Sequence, residues 1–120
     1  MEDLRLTRRG RLCLAAFAGE LANERVAAAR RELEQALEDP GCGALVVDLA
    51  GVPFLDSSGI GLLVSLAARA KAAGRQFYLL DLSPQVRKTL ELVQLITYFQ
   101  VLPGREQLAG LEAQDPITKT

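Results

Sequence analysis

The run Asp56-Ser57-Ser58-Gly59-Ile60-Gly61 puts a carboxylate and two hydroxyls in succession, followed by two glycines one residue apart. Those residue types at that spacing suit the chemistry of a phosphate. The first N–H groups of a helix lack intrahelical partners and form the positive end of its macrodipole, so a helix start can hold a phosphate. A hydroxyl there can also carry one covalently. The plainer alternative is a structural cap, because Asp, Ser and Gly are ordinary N-cap residues, and composition alone favours a cap over a regulatory site. Yet one capping side chain is enough, and here there are three candidates. Each helical glycine also costs about 0.5–1 kcal/mol relative to alanine. Gly59 and Gly61 are better explained if another backbone or a partner surface must come close.

Other chemistry has little to work with. The chain contains no histidine, which excludes a Ser-His-Asp triad. Leu55 and Asp56 stand where GxSxG needs its first glycine, no Walker A loop exists, and Val64 stands where GxGxxG needs its third glycine. Lys71 and Lys88 are formal base candidates for a hydrolase using Ser57, but each lies on a helix pattern whose exposed face explains it better. Cys13 and Cys42 form neither a CxxC nor a metal-ligand spacing. They read as two free thiols, Cys13 packed in a strand and Cys42 in a Gly-Cys-Gly turn. No metal, no cofactor and no enzymatic activity are expected.

The motif sits where a strand hands over to a helix. The apolar run Gly43–Leu49 reads as a buried strand, a loop comes next over 50–55, and an apolar helix pattern runs from about Ser58 to Ala73, ending at Gly74. That helix is apolar on more than one side: Leu62, Leu63, Leu66 and Ala70 can face a sheet, while Ile60, Val64 and Ala67 lie off that stripe. Burial on two sides, one of them offered to a partner, accounts for the pattern. Upstream, Leu4 and Leu6 alternate with charge, Thr7–Gly10 makes a turn, and a second strand runs through Leu12–Phe17. Asn23 is a good N-cap for a helix over Glu24–Glu38, whose stripe is Val26, Ala29, Leu33 and Leu37. Its charges read as a solvated face with Arg30–Glu34 a weak pair. Downstream come a strand over Gln76–Leu82, a helix opened by Ser83-Pro84, a short strand over Ile96–Leu102 and a short helix over Glu106–Leu111. Strands alternating with helices imply an α/β domain on a mixed sheet.

The chain's 120 residues suffice for one domain with a real core, 49% are apolar and the net charge is −1. That charge gives no general electrostatic reason to expect nucleic acid or an anionic membrane as partner. No apolar stretch approaches the roughly 18 residues of a transmembrane helix, and the N-terminus lacks the order of a signal peptide. A cytoplasmic protein without membrane insertion is the default expectation.

The motif, its position and this order of elements resemble the STAS domain, the fold of anti-sigma factor antagonists and of the cytoplasmic ends of sulfate transporters. The likeness runs from the Gly19-Glu20-Leu21 turn, through Val46-Val47-Asp48-Leu49 and Asp56–Gly61, to Ser83-Pro84-Gln85-Val86. It implies one STAS domain over residues 1–112, a four- to five-stranded mixed sheet with about four helices packed on it, and a disordered tail over 113–120. With no transporter segment attached, the chain looks like a stand-alone bacterial anti-anti-sigma factor, a regulator of transcription. The resemblance further implies that Ser57, the first serine after the aspartate, accepts phosphate from a serine-kinase anti-sigma factor with a histidine-kinase-like ATPase fold. Unphosphorylated, such a protein binds the kinase and frees the sigma factor; phosphorylated, it lets go until a PP2C-type phosphatase restores it.

Asp56 would then either position the hydroxyl or cap the helix, Ser58 is expected to cap it, and Gly59 supports the loop. Ile60, Gly61, Val64 and Asn23 are the expected partner contacts. One departure is Ala22, where family members commonly carry an acid after the Gly-Glu-Leu turn. The competing expectation is a STAS subunit that docks on the ATPase of a lipid-transport complex or in a stress-signalling assembly, with Ser57 a cap and nothing else.

Overall fold

The computed structural model describes residues 4–22 and 24–113. A hairpin of β1 (Leu4–Arg9) and β2 (Leu12–Ala18) leads to α1 (Glu24–Glu38), β3 (Ala44–Gly51), α2 (Ser57–Ala72), β4 (Gln76–Leu80) and α3 (Pro84–Leu92). After a 3₁₀ turn at Arg105–Gln107 comes α4 (Leu108–Ala113). The strands form one sheet in the order β1-β2-β3-β4, antiparallel in the hairpin and parallel at the other two junctions.

Alternation within the strands sorts the side chains to two faces. Cys13, Ala15 and Phe17 of β2, Leu45, Val47 and Leu49 of β3, and Phe77 and Leu79 of β4 join the apolar stripes of α1, α2 and α3 in the main core. Leu12, Leu14, Val46 and Leu80 point the other way and are covered by Leu108 and Leu111 of α4 and by Leu102. The central strands are therefore buried on both faces, which is why β3 reads as an unbroken apolar run. At the hairpin turn Gly10 has φ +56, and a Cβ there would lie 2.5 Å from the Glu112 carbonyl oxygen. Arg11 N–H donates to that same carbonyl at 3.2 Å, so the end of α4 docks on the turn.

Four expectations change. The turn expected over Thr7–Gly10 is confined to Gly10 and Arg11, because Thr7, Arg8 and Arg9 stay paired in the hairpin with Leu14, Cys13 and Leu12. The strand expected over Ile96–Leu102 shrinks to a single parallel bridge between Leu79 and Val101. Gln94 adopts φ 61, and the bonds from Leu95 N–H to Leu90 O (2.8 Å) and from Tyr98 N–H to Leu95 O (3.0 Å) keep this segment in turns. Its apolar residues pack on the core from a coil, which mimics the composition of a strand. The last helix begins with the 3₁₀ turn at Arg105 and reaches Ala113; residues 114–120 of the expected tail lie outside the described residues. The charged face of α1 does more than meet water, since Arg30 donates to Ser65 Oγ at 2.6 Å and Glu34 pairs with Arg69 at 3.5 Å, fastening α1 to α2. Both cysteines are free and buried. The Cys42 thiol, which donates to Ala44 O at 3.6 Å, is pushed up by the neighbouring Cys13 thiol and by burial, and stays protonated.

Asp48, near the end of β3, is the buried acid of the sheet. Its Oδ1 accepts from Ala50 N–H at 3.0 Å and its Oδ2 from Arg105, whose Nε also reaches Asp81 Oδ2 at 2.9 Å. One guanidinium thus ties the ends of β3 and β4 to the turn before α4. Arg105→Ala strands the Asp48 carboxylate and is expected to cost roughly 1–2 kcal/mol, because Arg105 is itself half exposed and screened. Adding Asp48→Asn should return much of that loss, and urea unfolding of the single and double variants measures both.

Candidate functional site

The site is built from the bulge at the end of β3 outward. Ala16 pairs with Asp48 but Ala18 pairs with Gly51, so β3 carries one extra residue there. A bulge of this kind bends the strand and re-aims the residues beyond it. Gly51 is required at this point, as a Cβ would lie 2.8 Å from Phe17 O. Past the bulge, Val52 N–H bonds back to Leu49 O at 3.0 Å. Ser83 caps α3, accepting from Val86 N–H at 3.2 Å, while its hydroxyl donates to Val52 O at 3.0 Å. Leu55 then forms an isolated parallel bridge with Leu21, and Leu21 N–H donates to Phe54 O at 3.1 Å. The loop from 52 to 55 is pinned from both sides, leaving Pro53 and Phe54 exposed.

Leu21 belongs to the turn between β2 and α1, where Gly19 has φ +88 and the Arg25 guanidinium donates to the carbonyls of Ala18 and Glu20. That turn brings half-buried Ala22 into the segment held beside the motif. Asn23, expected as a cap and a partner contact, lies outside the described residues.

Asp56, with φ −97 and ψ −173, is the N-cap of α2. Its Oδ1 accepts from Ser58 Oγ at 2.6 Å and from Gly59 N–H at 2.9 Å. The expectation that Ser58 caps the helix is corrected: α2 begins at Ser57, and Ser58 donates its hydroxyl to the cap instead. The reason is register. Leu55 is locked to Leu21, which leaves the next residue, Asp56, at the extended position an N-cap needs. The Ser58 hydroxyl and then the Gly59 N–H hold the Asp56 carboxyl below the usual carboxylate range. A depressed folded-state pKa contributes stability that is present above the unfolded value, roughly 3.9, and is lost as pH falls through the folded value. Asp56→Ala should therefore lower the urea midpoint at pH 7, and the gap to the wild type should close as pH falls below about 4.

The two serines differ in surroundings. Ser57, at the first helical position, is exposed, and no hydrogen bond holds its hydroxyl among the described residues. Ser58 is half-buried and committed to Asp56. The glycines differ too. Gly59 is buried, and an added Cβ would collide with the backbone oxygen of Leu21, so the close backbone is the protein's own. At Gly61 an added Cβ meets nothing within 4 Å. Ile60 and Val64 are half-buried and rest against the core, flanking Gly61. From Ser57 to Ala68 the helix carries no charge, so its exposed strip is small and apolar next to an unengaged hydroxyl. Surface of that composition, apolar at the centre and free of charge, is what protein interfaces present.

Leu21 and Ser83, which hold the loop, were visible in the sequence only as a turn residue and a helix cap. Their second partners are non-local, and nothing in the local pattern signals them.

Comparison with known proteins adds to this geometry. A family model described as the STAS domain matches residues 3–108. The chain is 25% identical over 87 residues, 72% of each chain, to an anti-sigma F factor antagonist from Paenibacillus polymyxa. Among solved structures it is similar to an anti-sigma-factor antagonist (STAS) domain protein from Planctomyces limnophilus, with 23% identity and a TM-score of 0.78 over 94% of this chain and 99% of that one. It is also similar to the Bacillus cell fate determinant SpoIIAA in its phosphorylated form, with 22% identity and a TM-score of 0.72 over 90% of this chain and 98% of that one. No helix among the described residues is long and apolar enough to cross a membrane. Because the family match spans the whole sheet, the helices on its main face and the Asp56–Gly61 turn that the sheet positions, the chain belongs to the STAS domain family.

Proposed function

We propose that this chain is an anti-sigma factor antagonist that works by partner switching, with Ser57 as its phosphate acceptor. The observation that carries the reading is the exposed, unengaged Ser57 hydroxyl at the head of an uncharged helix strip. The Paenibacillus antagonist and the phosphorylated SpoIIAA fold lend support from outside the chain.

In this reading the chain is a substrate and a switch, not an enzyme. The partner is an anti-sigma factor that is also a serine kinase, with a histidine-kinase-like ATPase fold, and a PP2C-type phosphatase reverses the modification. Ser57 Oγ forms the new bond to the γ-phosphorus of ATP, the β–γ bridge breaks, and ADP leaves. The serine proton goes to a base on the kinase, since Asp56, held below the ordinary carboxylate range, is a weak acceptor. Ile60, Gly61 and Val64 form the centre of the kinase contact, and Gly61 lets the partner backbone approach.

The test is phosphorylation with the cognate anti-sigma kinase, recovered by pull-down, and ATP, followed by tandem mass spectrometry. One phosphate on Ser57, abolished by Ser57→Ala, is the expected result. Phosphate on Ser58 with Ser57 unmodified contradicts the assignment, and stable docking on a partner with no phosphate transferred favours a scaffold role instead.

A further inference from the structure

The two edges of the sheet are defended unequally. β1, on one side, carries Arg5, Arg8 and Arg9, and charged side chains on an edge strand discourage pairing with other chains. β4, on the other, reads Gln76-Phe77-Tyr78-Leu79-Leu80, with no charge, no proline and no bulge. Its second half is covered: Leu79 N–H donates to Gln100 O and Leu102 N–H to Leu79 O, both at 2.9 Å. Its first half is not. Gln76 N–H points inward to Gly43 O, so by alternation the N–H and C=O of Phe77 point outward like those of Leu79, and no backbone group closes on them among the described residues.

A cleft of about 700 Å³ opens at this place, between the C-terminal end of α2 and the Tyr98–Gln100 segment. Tyr98, 52% exposed, stands edge-on to Phe99, which in turn packs on Phe77, giving the cleft an aromatic wall. Its charged lining residues are Lys71 and Arg75, with no acid among them. Among the described residues the hydrogen bonds of the Arg75 guanidinium go to main-chain carbonyls and none to a carboxylate. Lys71 lies fourteen residues after Ser57, about 20 Å along α2, so this surface is separate from the phosphate-acceptor strip.

We propose that the open half of β4 receives an extended acidic segment of a partner protein, which pairs with the Phe77 backbone and turns its carboxylates toward Lys71. Strand addition to an exposed edge supplies main-chain hydrogen bonds, and the pockets beside the edge select the side chains. Phe77 and Phe99 pack with α2 in the main core, so the aromatic wall and Lys71 face the same side of the segment, where a carboxylate reaches the cation with its aliphatic stem along the rings. The surface lies outside the kinase contact, so one chain can hold both partners together.

Isotope-labelled protein is titrated with a capped heptapeptide of alternating valine and glutamate, and in parallel with its valine–lysine counterpart. The acidic peptide should shift the amide resonances of Lys71, Phe77, Tyr98 and Gln100 in a saturable manner and slow hydrogen exchange at Phe77 at least threefold. The basic peptide should leave them in place. Lys71→Glu, at an exposed position that leaves the fold intact, should weaken the acidic peptide at least fivefold. Equal binding of both peptides, shifts confined elsewhere, or no shift at all overturns the proposal. So does free glutamate reproducing the shifts, which reduces the cleft to an anion site. Protection at Phe77 that rises with protein concentration alone also overturns it, because the edge is then covered by a second copy of the chain.

Discussion

Gly59→Ala is expected to destabilise the domain by about 3 kcal/mol, the upper part of the range for overpacking a fixed site, while Gly61→Ala two residues on stabilises it by roughly 0.5–1 kcal/mol. Both glycines lie in the first turns of α2, so helix propensity alone predicts the same gain for each. Packing separates them. A Cβ at position 59 meets the Leu21 backbone oxygen and lies 3.1 Å from Leu55 Cδ2. Neither can give way cheaply, because Leu21 and Leu55 are bridged to one another and both are buried. At position 61 the space is open and nothing is strained. Thermal melts and urea unfolding check the pair, with a fall on the order of 10 °C expected for the first and a small rise for the second. Gly61→Ala has a further consequence: a more stable helix that binds the kinase less well means that the glycine serves an approach, not the fold.

The elements around the site were legible where the signal is local. The apolar run through Val46-Val47 reports a strand buried on both faces, and Ser83-Pro84 reports a helix start, as found. What escaped depends on contacts distant in sequence. Three consecutive capping residues permit three helix registers, and the one adopted is chosen by the Leu55–Leu21 bridge, which no window around Asp56 contains. Gly59, read as a place where another backbone or a partner surface must come close, answers to the backbone of Leu21. Leu95, Ile96, Phe99 and Val101 have the composition of a strand because they cover the core, yet Gln94 in the left-handed region turns the chain away from the ladder before them. The fastening of α1 to α2 through Arg30 and Ser65 was hidden for the same reason.

Phosphate on Ser57 is expected to lower affinity for the kinase at least tenfold, about 1.4 kcal/mol, while leaving the fold intact. The modification brings roughly −1.5 to −2 charge to the first residue of α2. The dipole favours it, but the cap has already used part of what the helix end offers, since Asp56 takes the Gly59 N–H and is itself ionised beside the new group. The two effects oppose each other, and Ser57 is exposed, so the phosphate stays in water and the isolated domain melts close to the unmodified one. Contact is a different matter. The strip from Ser57 to Ala68 is uncharged, and a partner closing over it must strip water from a dianion while finding its approach at Gly61 obstructed. Ser57→Asp should act in the same direction and more weakly, with less charge and fewer acceptor oxygens.

Calorimetric titration of the kinase with unmodified and Ser57-phosphorylated protein, each melted in parallel, tests the central claim most directly. A dissociation constant at least tenfold weaker for the phosphorylated protein, with melting temperatures within a few degrees of one another, is the predicted result. Equal affinities, or an affinity that falls only together with a collapse of the melting temperature, contradict it.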